Sequence, residues 1–541
     1  MIELTTLERV FSSIKPNTPV SFDTETDGLY GKIHLAQFYQ RGWDKVLAVH
    51  NPPIHVLVSY LEKLENALIM HNASYDVTTI QRQSGTRYIP NNFEDTLLMA
   101  RVAWPEAEDF GLDACLTHVL GYDPYAHLNK KAMQKADWSA PVVPPDQLEY
   151  AALDVLHLMD VFDNCAGALD SFSYQLDMHS LRSAMDWQNN GMLVDMPLLE
   201  VMRAENEAAI KAIALPVNSN SWQQVRPYIG ENESDGLALS TFWLRDGNKR
   251  AHDVQTVRSL RMQQTFLNKF DKQIFGVFGP YARSGRYTCK SQNIQQIPRK
   301  TKSLFKAERH MLYSDFAQLE LRTIAGITAD EFLCSAFKND IDIHQVTADD
   351  NGSSRQAAKT INFNALYGGG ANMLQSIMLK QVGVYTPIQE IELALKKWKR
   401  RYSGIAAWQE RGSRAHKYGR LGSTLCGREY IGRLYTDQLN IENQGTGAEV
   451  AKLALHYMLP DLNASDSKLL NFIHDSYIVD TPNEPDVIDT VAHRMAQAMK
   501  DAWSEVIKQA AVKDIPMPVE VLGGQNWGDI ESGKHTYKLE I

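Results

Sequence analysis

The chain has little cysteine: five residues in 541, Cys115, Cys165, Cys289, Cys334 and Cys426. None forms a C-x-x-C pair, which leaves no zinc site and suits a reducing compartment. No apolar run is long enough to cross a membrane. The opening "MIELTTLERVF" carries acids early and has no apolar core, so it reads as neither a secretory signal nor a transit peptide. No internal repeat or low-complexity tract is visible. Positive charge is also short, with 55 Lys and Arg against 65 Asp and Glu and a net charge of −10. At first that argues against a nucleic-acid partner. The objection is weak, because a total says nothing of local patches and clustered catalytic acids lower it. Basic clusters stand at Arg299-Lys300-Thr301-Lys302 and Lys396-Lys397-Trp398-Lys399-Arg400-Arg401, although most charge runs are solvated faces. The composition is that of a soluble globular protein, and the length implies three or four structural units.

What is present is acid in particular places. "PVSFDTETDGLYGKIHLAQFY" reads as a strand, a turn at Asp27-Gly28, and a second strand. Asp23 and Glu25 are two apart and share a face of the extended chain. Two acids on one face repel unless a cation sits between them, and hard divalent ions take such ligands. A lone D-x-E is equally an ordinary solvated pair. In "ALIMHNASYDVTTI" an apolar strand ends at His71-Asn72, and a helix starting near Ser74 carries Asp76 in its first turn. "PPDQLEYAALDVLHLMDVF" reads as one amphipathic helix in which Tyr150 and Asp154, four apart, share a face.

From about residue 170 the pattern turns to long helical periodicity, broken at Asn189-Asn190-Gly191 and restarted by Asp195 and Pro197. In "HMLYSDFAQLELRTIAGI" a short strand from Met311 to Tyr313 delivers Asp315, and a helix follows with Gln318 and Arg322 on one face. "NFIHDSYIVD" sets His474-Asp475-Ser476 between apolar runs, the pattern of a tight hairpin with a polar tip. By itself that is a common surface turn. Asp315 at a strand end and Asp475 at a tip could meet on one sheet. In "SSRQAAKTINFNALYGGG", Arg355, Lys359, Phe363 and Tyr367 recur every four residues along one stripe of a helix that the glycines end. The rise from Arg355 to Phe363 is roughly 12 Å, enough to lay a nucleoside triphosphate with phosphates on the cations and its base or sugar on the aromatics. The same spacing fits a helix with core aromatics and snorkelling cations.

These segments, taken in order, carry a resemblance. D-x-E, N-x-x-Y-D and Y-x-x-x-D resemble the three motifs of proofreading-type 3′–5′ exonucleases. "SDFAQLELR", "RQAAKTINFNALYG" and "IHDS" resemble the three polymerase motifs of the family A DNA polymerases. "SGRYTCKSQNIQQIP", "DIH", "NIENQGTGAE" and "VEVLGGQNW" resemble further segments of that family. The fold implied is multidomain, α/β and α+β. A ribonuclease H-like exonuclease domain over 1–170 precedes a right-hand polymerase domain over 171–541. The thumb would take about 180–275, the palm about 276–344 and 425–541, and the fingers about 345–424.

The resemblance implies roles. In the exonuclease, Asp23, Glu25, Asp76 and Asp154 would hold two Mg²⁺ ions and Tyr150 would orient the attacking water. In the polymerase, Asp315, Asp475 and the Phe316 carbonyl would hold two more, with Mn²⁺ an acceptable substitute. Arg355, Lys359 and His344 would clamp the triphosphate, and Lys359 would also serve as acid to the leaving group. Phe363, Gln318 and Tyr367 would complete the nucleotide site, Phe363 rejecting dideoxynucleotides. Glu320 would exclude ribonucleotides. Arg286, Asn293, Gln296, Asn440, Gln444 and His474 would contact DNA. The partners implied are primer–template DNA and deoxynucleoside triphosphates, with no membrane and an unspecified replisome or processivity partner. Two departures stand out. Ser476 occupies a place where the family usually has a second acid, which points to a shifted metal requirement and admits a decayed polymerase half that only binds DNA. The short segment between His344 and Arg355 and the absence of a 5′ nuclease domain suit a compact phage-type enzyme acting in the cytoplasm of a bacterial host.

Overall fold

The computed structural model describes residues 2–541. The chain divides into two compact units: residues 1–190 with 276–292 and 426–430, and residues 191–275 with 293–425 and 431–541.

The first unit is built on a six-stranded mixed sheet. Its strands are β1 (Ile2–Leu4), β2 (Val20–Thr26), β3 (Ile33–Gln40), β4 (Val46–His50), β5 (Leu68–Met70) and β6 (Phe93–Asp95), in the order β1-β4-β3-β2-β5-β6. β2 runs antiparallel to β3 and parallel to β5. Val20, Phe22 and Phe38 are fully or almost fully buried, and the Phe22 and Phe38 rings lie 5.0 Å apart. Burying one such side chain is worth roughly 1.5–3 kcal/mol. This packing pins β2 at the sheet centre, so its alternating acids have a fixed direction. The helix Ser74–Ser84 ends at Gly85, a left-handed cap. The sequence reading of one helix through residue 162 needs correction: Pro145–Leu156 ends at His157, and Leu158–Asn164 follows as a separate segment. A hairpin of Gly276–Gly279 and Thr288–Ser291 also belongs to this unit.

The second unit has an antiparallel sheet. Its strands run in the order Lys468–Ile473, Ser476–Thr481, Phe305–Phe316, Val519–Asn526, Tyr537–Glu540, and Met192–Val194 pairs with the start of the central strand. That central strand is twelve residues long, where the apolar signal covered only Met311 to Tyr313. Arg309 explains the difference. Its backbone and guanidinium reach Asp480 at 2.8 and 2.9 Å, and its side chain also meets Asp466 at 2.7 Å. The polar segment is therefore held by partners far along the chain. The helices Tyr435–Ala464 and Pro485–Ile507 pack on each other, and the latter also packs on the strands. The helical stretch before the sheet forms a pair, Met196–Ile213 with Lys249–Leu267. It carries two shorter helices on a small core of Val225, Ile229, Leu239, Ala251 and Val254.

Two candidate carboxylate sites

The first site lies in the first unit. One carboxylate oxygen from each of Asp23, Glu25 and Asp154 falls within 4.8 Å of the others. Asp76 comes from the first turn of Ser74–Ser84 and accepts a hydrogen bond from Thr24 Oγ1 at 2.6 Å. Asp23 accepts one from Gln37 Nε2 at 3.3 Å. With Tyr150 they line a cavity of about 710 Å³. Burial, then mutual repulsion, holds Asp23 and Glu25 well above the usual carboxylate range. Burial also pushes Asp76 up to about 7 and Asp154 to about 6. Acids gathered this closely in a sheltered cavity are a donor set suited to a hard divalent cation, which would relieve the repulsion.

The structure adds a residue with no signal in the sequence. Tyr125 is almost fully buried and its hydroxyl donates to Asp154 Oδ1. Its ring lies 5.5 Å from that of Tyr150, and the Trp138 ring lies 6.5 Å from Tyr150. Asp154 is thus held by a partner 29 positions away.

The second site lies in the second unit. Ser476 begins the strand after a two-residue loop, His474-Asp475, in which His474 takes a left-handed φ of 59°. In the sheet Ser476 pairs directly with Asp315. Burial and the charge of Asp475 raise Asp315 to about 8, against a hydrogen bond from Ser476 that lowers it. Ser476 Oγ donates to Asp315 Oδ1 at 3.3 Å and accepts from Tyr313 Oη at 3.2 Å. The two acids therefore interact, one on the central strand and one on the hairpin loop next to it, and again make a donor set fit for a divalent cation.

The helix Arg355–Leu366 is capped by Ser354, whose side chain accepts from the Ala357 amide at 3.2 Å. Ala358, Ile361, Ala365 and Leu366 form its buried face. Arg355 and Lys359 are exposed and Phe363 is half-buried, so the stripe looks outward and the core-aromatic alternative fails. Lys359, Phe363, Tyr367, Asn440 and Gln444 line one cavity of about 560 Å³. Arg355 pairs with Asp342 at 2.7 Å.

Several side chains sit differently from the sequence reading. His344 is 3% exposed, and its Nδ1 lies 2.8 Å from the Asn362 amide. Burial and the nearby Arg355 and Lys359 push it down to about 4, so it is neutral at physiological pH. Tyr367 is the residue capping the helix end rather than part of the helix. Its hydroxyl donates to Glu320 and accepts from Asn443 Nδ2 at 3.2 Å. Gln318 is exposed, in a left-handed conformation just before the helix Leu319–Thr328. Arg322 is buried on the Ala317 and Pro516 carbonyls, so the two do not share a face. Asn293 caps the turn Ile294–Gln296, which docks on the strand Lys468–Ile473 through Asn471 Nδ2 to the Ile294 carbonyl. Arg286 lies in the first unit's hairpin, between its two strands.

An interacting pair of acids, one on a strand and one on the adjoining hairpin loop, in the same unit as a cation-and-aromatic helix and preceded in the chain by a separate acid-lined unit, defines a nucleotide-handling enzyme with two carboxylate centres. The model of DNA polymerase family A matches residues 253–529, and that of a 3'-5' exonuclease matches residues 3–169. The chain belongs to DNA polymerase family A and carries a 3′–5′ exonuclease domain ahead of the polymerase domain. It is 24% identical to DNA polymerase I of Aquifex aeolicus over 96% of this chain and 98% of that one. It is also 24% identical to the thermostable DNA polymerase I of Thermus filiformis over 71% of this chain, spanning 51% of that enzyme. A solved structure, the POL domain of Pol1 from M. smegmatis in complex with DNA primer-template and dNTP, shares its fold. The TM-score is 0.76 at 18% identity, covering 98% of this chain and 100% of that one. These relatives are bacterial enzymes and lend the expected phage origin no support. Among the described residues, no helix is long and apolar enough to cross a membrane.

Proposed function

We propose that the second unit extends a primer on a DNA template from deoxynucleoside triphosphates, and that the first unit removes mispaired 3′ ends. The observation that carries this is the pairing of Asp315 with Ser476 in one sheet, which brings the adjoining Asp475 near enough for its charge to act on Asp315, within the same unit as the outward stripe of Arg355, Lys359 and Phe363. Divalent ions of the Mg²⁺ kind, two to each site, would supply charge neutralisation and an activated nucleophile. Asp315, Asp475 and the Phe316 carbonyl would hold them in one site, and Asp23, Glu25, Asp76 and Asp154 in the other. Arg355 and Lys359 bind the triphosphate, and Lys359 is placed to protonate the departing pyrophosphate. His344, neutral and buried, supports that face without adding charge. Phe363 stacks on the sugar, and Glu320, held by Tyr367, limits space at the 2′ position. Asn293, Gln296, Asn440, Gln444, His474 and Arg286 contact the DNA. In the first unit Tyr150 orients the water for hydrolysis.

We read the thumb at about 180–275, the palm at 276–344 and 425–541, and the fingers at 345–424. The substrates place the protein with bacterial cytoplasmic DNA. Primer extension tests all of this. The parent extends and edits. Asp315→Ala abolishes extension and spares 3′ degradation, and Asp23→Ala does the reverse. A parent that degrades 3′ ends but extends no primer would leave only the exonuclease, with a polymerase unit that merely binds DNA.

A further inference from the structure

Tyr313 and Asp315 are two apart on the central strand, so both point to one face of the sheet. Ser476 stands directly opposite Asp315 on the neighbouring strand. The contacts are Tyr313 Oη to Ser476 Oγ at 3.2 Å and Ser476 Oγ to Asp315 Oδ1 at 3.3 Å. A serine hydroxyl has one proton to give. A carboxylate that holds a cation is ionised and only accepts, so with a cation bound the proton of Ser476 goes to Asp315 and its lone pair takes the proton of Tyr313. The direction of the chain is thereby fixed. Tyr313 is half-buried and Ser476 is 7% exposed, so neither hydroxyl is readily replaced by water.

We propose that Ser476 and Tyr313 are positioning residues that aim Asp315, a hydrogen-bond relay in place of a third charge at this corner of the sheet. The relay engages Oδ1, and the Phe316 amide also donates to the carboxylate, so Asp315 is held from its own strand and from the one opposite. An acid at 476 would face Asp315 across the ladder and adjoin Asp475 in sequence, so it would add repulsion that only a cation could offset. With serine there, the site is aimed without being made more negative. The inference rests on the reading of Asp315 as a cation ligand.

The test uses the full-length protein with Asp23→Ala as background, which removes the first site's contribution to cation binding. Mn²⁺ binding to the complex with primer–template is read from the electron paramagnetic resonance of free Mn²⁺, and Mg²⁺ dependence and nucleotide KM are read from extension. Ser476→Ala should weaken Mn²⁺ binding and raise the half-saturating Mg²⁺ about tenfold, the scale of a hydrogen bond to a charged group, with nucleotide KM within about twofold. Tyr313→Phe should move both in the same direction by less. The double variant should be no worse than Ser476→Ala alone, because the tyrosine acts through the serine. Ser476→Thr, which keeps the hydroxyl, should restore the parent values. Parent-like Mn²⁺ binding in Ser476→Ala, or additive losses in the double variant, would overturn the relay. Failure of the underlying reading looks different: Asp315→Ala would then bind Mn²⁺ and extend primers as the parent does.

Discussion

Asp154 is held by two tyrosines that come from different places. Tyr150 precedes it by one helical turn, and Tyr125 reaches it from a preceding loop with a hydroxyl that donates to Oδ1. A hydrogen bond to a charged group is worth roughly 1.5–3 kcal/mol. Losing it should slow hydrolysis of a 3′-terminal nucleotide roughly 10- to 100-fold if Asp154 must be aimed to act. Tyr125→Phe removes that bond and keeps the packing against Tyr150. Single-turnover degradation of a single-stranded oligonucleotide reads the effect, with primer extension unchanged. A rate within twofold of the parent would show that packing alone places Asp154. Tyr125 illustrates what a sequence hides. The pair Tyr150 and Asp154 is visible because helical spacing is local, whereas Tyr125 meets its partner only once the loop has folded.

The helix Arg355–Leu366 was legible for the same reason as Tyr150. A repeat of four and a closing run of glycines need no tertiary information. Its end needed more. Tyr367 falls at the cap of the helix because the chain turns at Gly368, which has φ +70°. A Cβ there would stand 2.8 Å from Tyr435 Cε1. Gly368→Ala therefore combines a left-handed conformation with a clash, and should cost about 1–3 kcal/mol. It should also disturb the Tyr367 hydroxyl on Glu320 and raise nucleotide KM. Urea unfolding followed by circular dichroism, alongside steady-state extension, checks both. A variant with unchanged midpoint and KM would mean that Tyr435 yields without cost. The sheets were less legible. The hairpin at His474-Asp475 showed itself through its apolar flanks. The polar half of the central strand was silent because Arg309 is satisfied by Asp466 and Asp480, far away in sequence. The break at His157 was missed because apolar spacing runs on through it.

At the scale of the molecule, each compact unit encloses acids that burial makes reluctant to ionise. Asp76 and Asp154 stand at about 7 and 6, and Asp315 at about 8, against an ordinary 3.8. The sign follows from proton counting. Between about pH 4 and these raised values the folded chain holds protons that the unfolded chain has released, so the free energy of unfolding falls as pH rises. The stabilising contribution is complete below the unfolded pKa and is lost as pH passes the folded one. In EDTA the melting temperature should therefore fall from pH 5 to pH 8.5. Asp76→Asn should remove the part of that fall that levels off near pH 7, and Asp315→Asn the part that continues to about pH 8, because an amide has no proton to lose. Added Mg²⁺ should flatten the dependence by binding the ionised clusters in the folded state only. Differential scanning calorimetry over that range, with and without Mg²⁺, measures all three effects. A melting temperature that rises across the range in EDTA, or a slope that neither substitution changes, would mean that these carboxylates ionise freely in the folded chain. The acids would then lack the mutual repulsion that makes each cluster a place for a divalent ion.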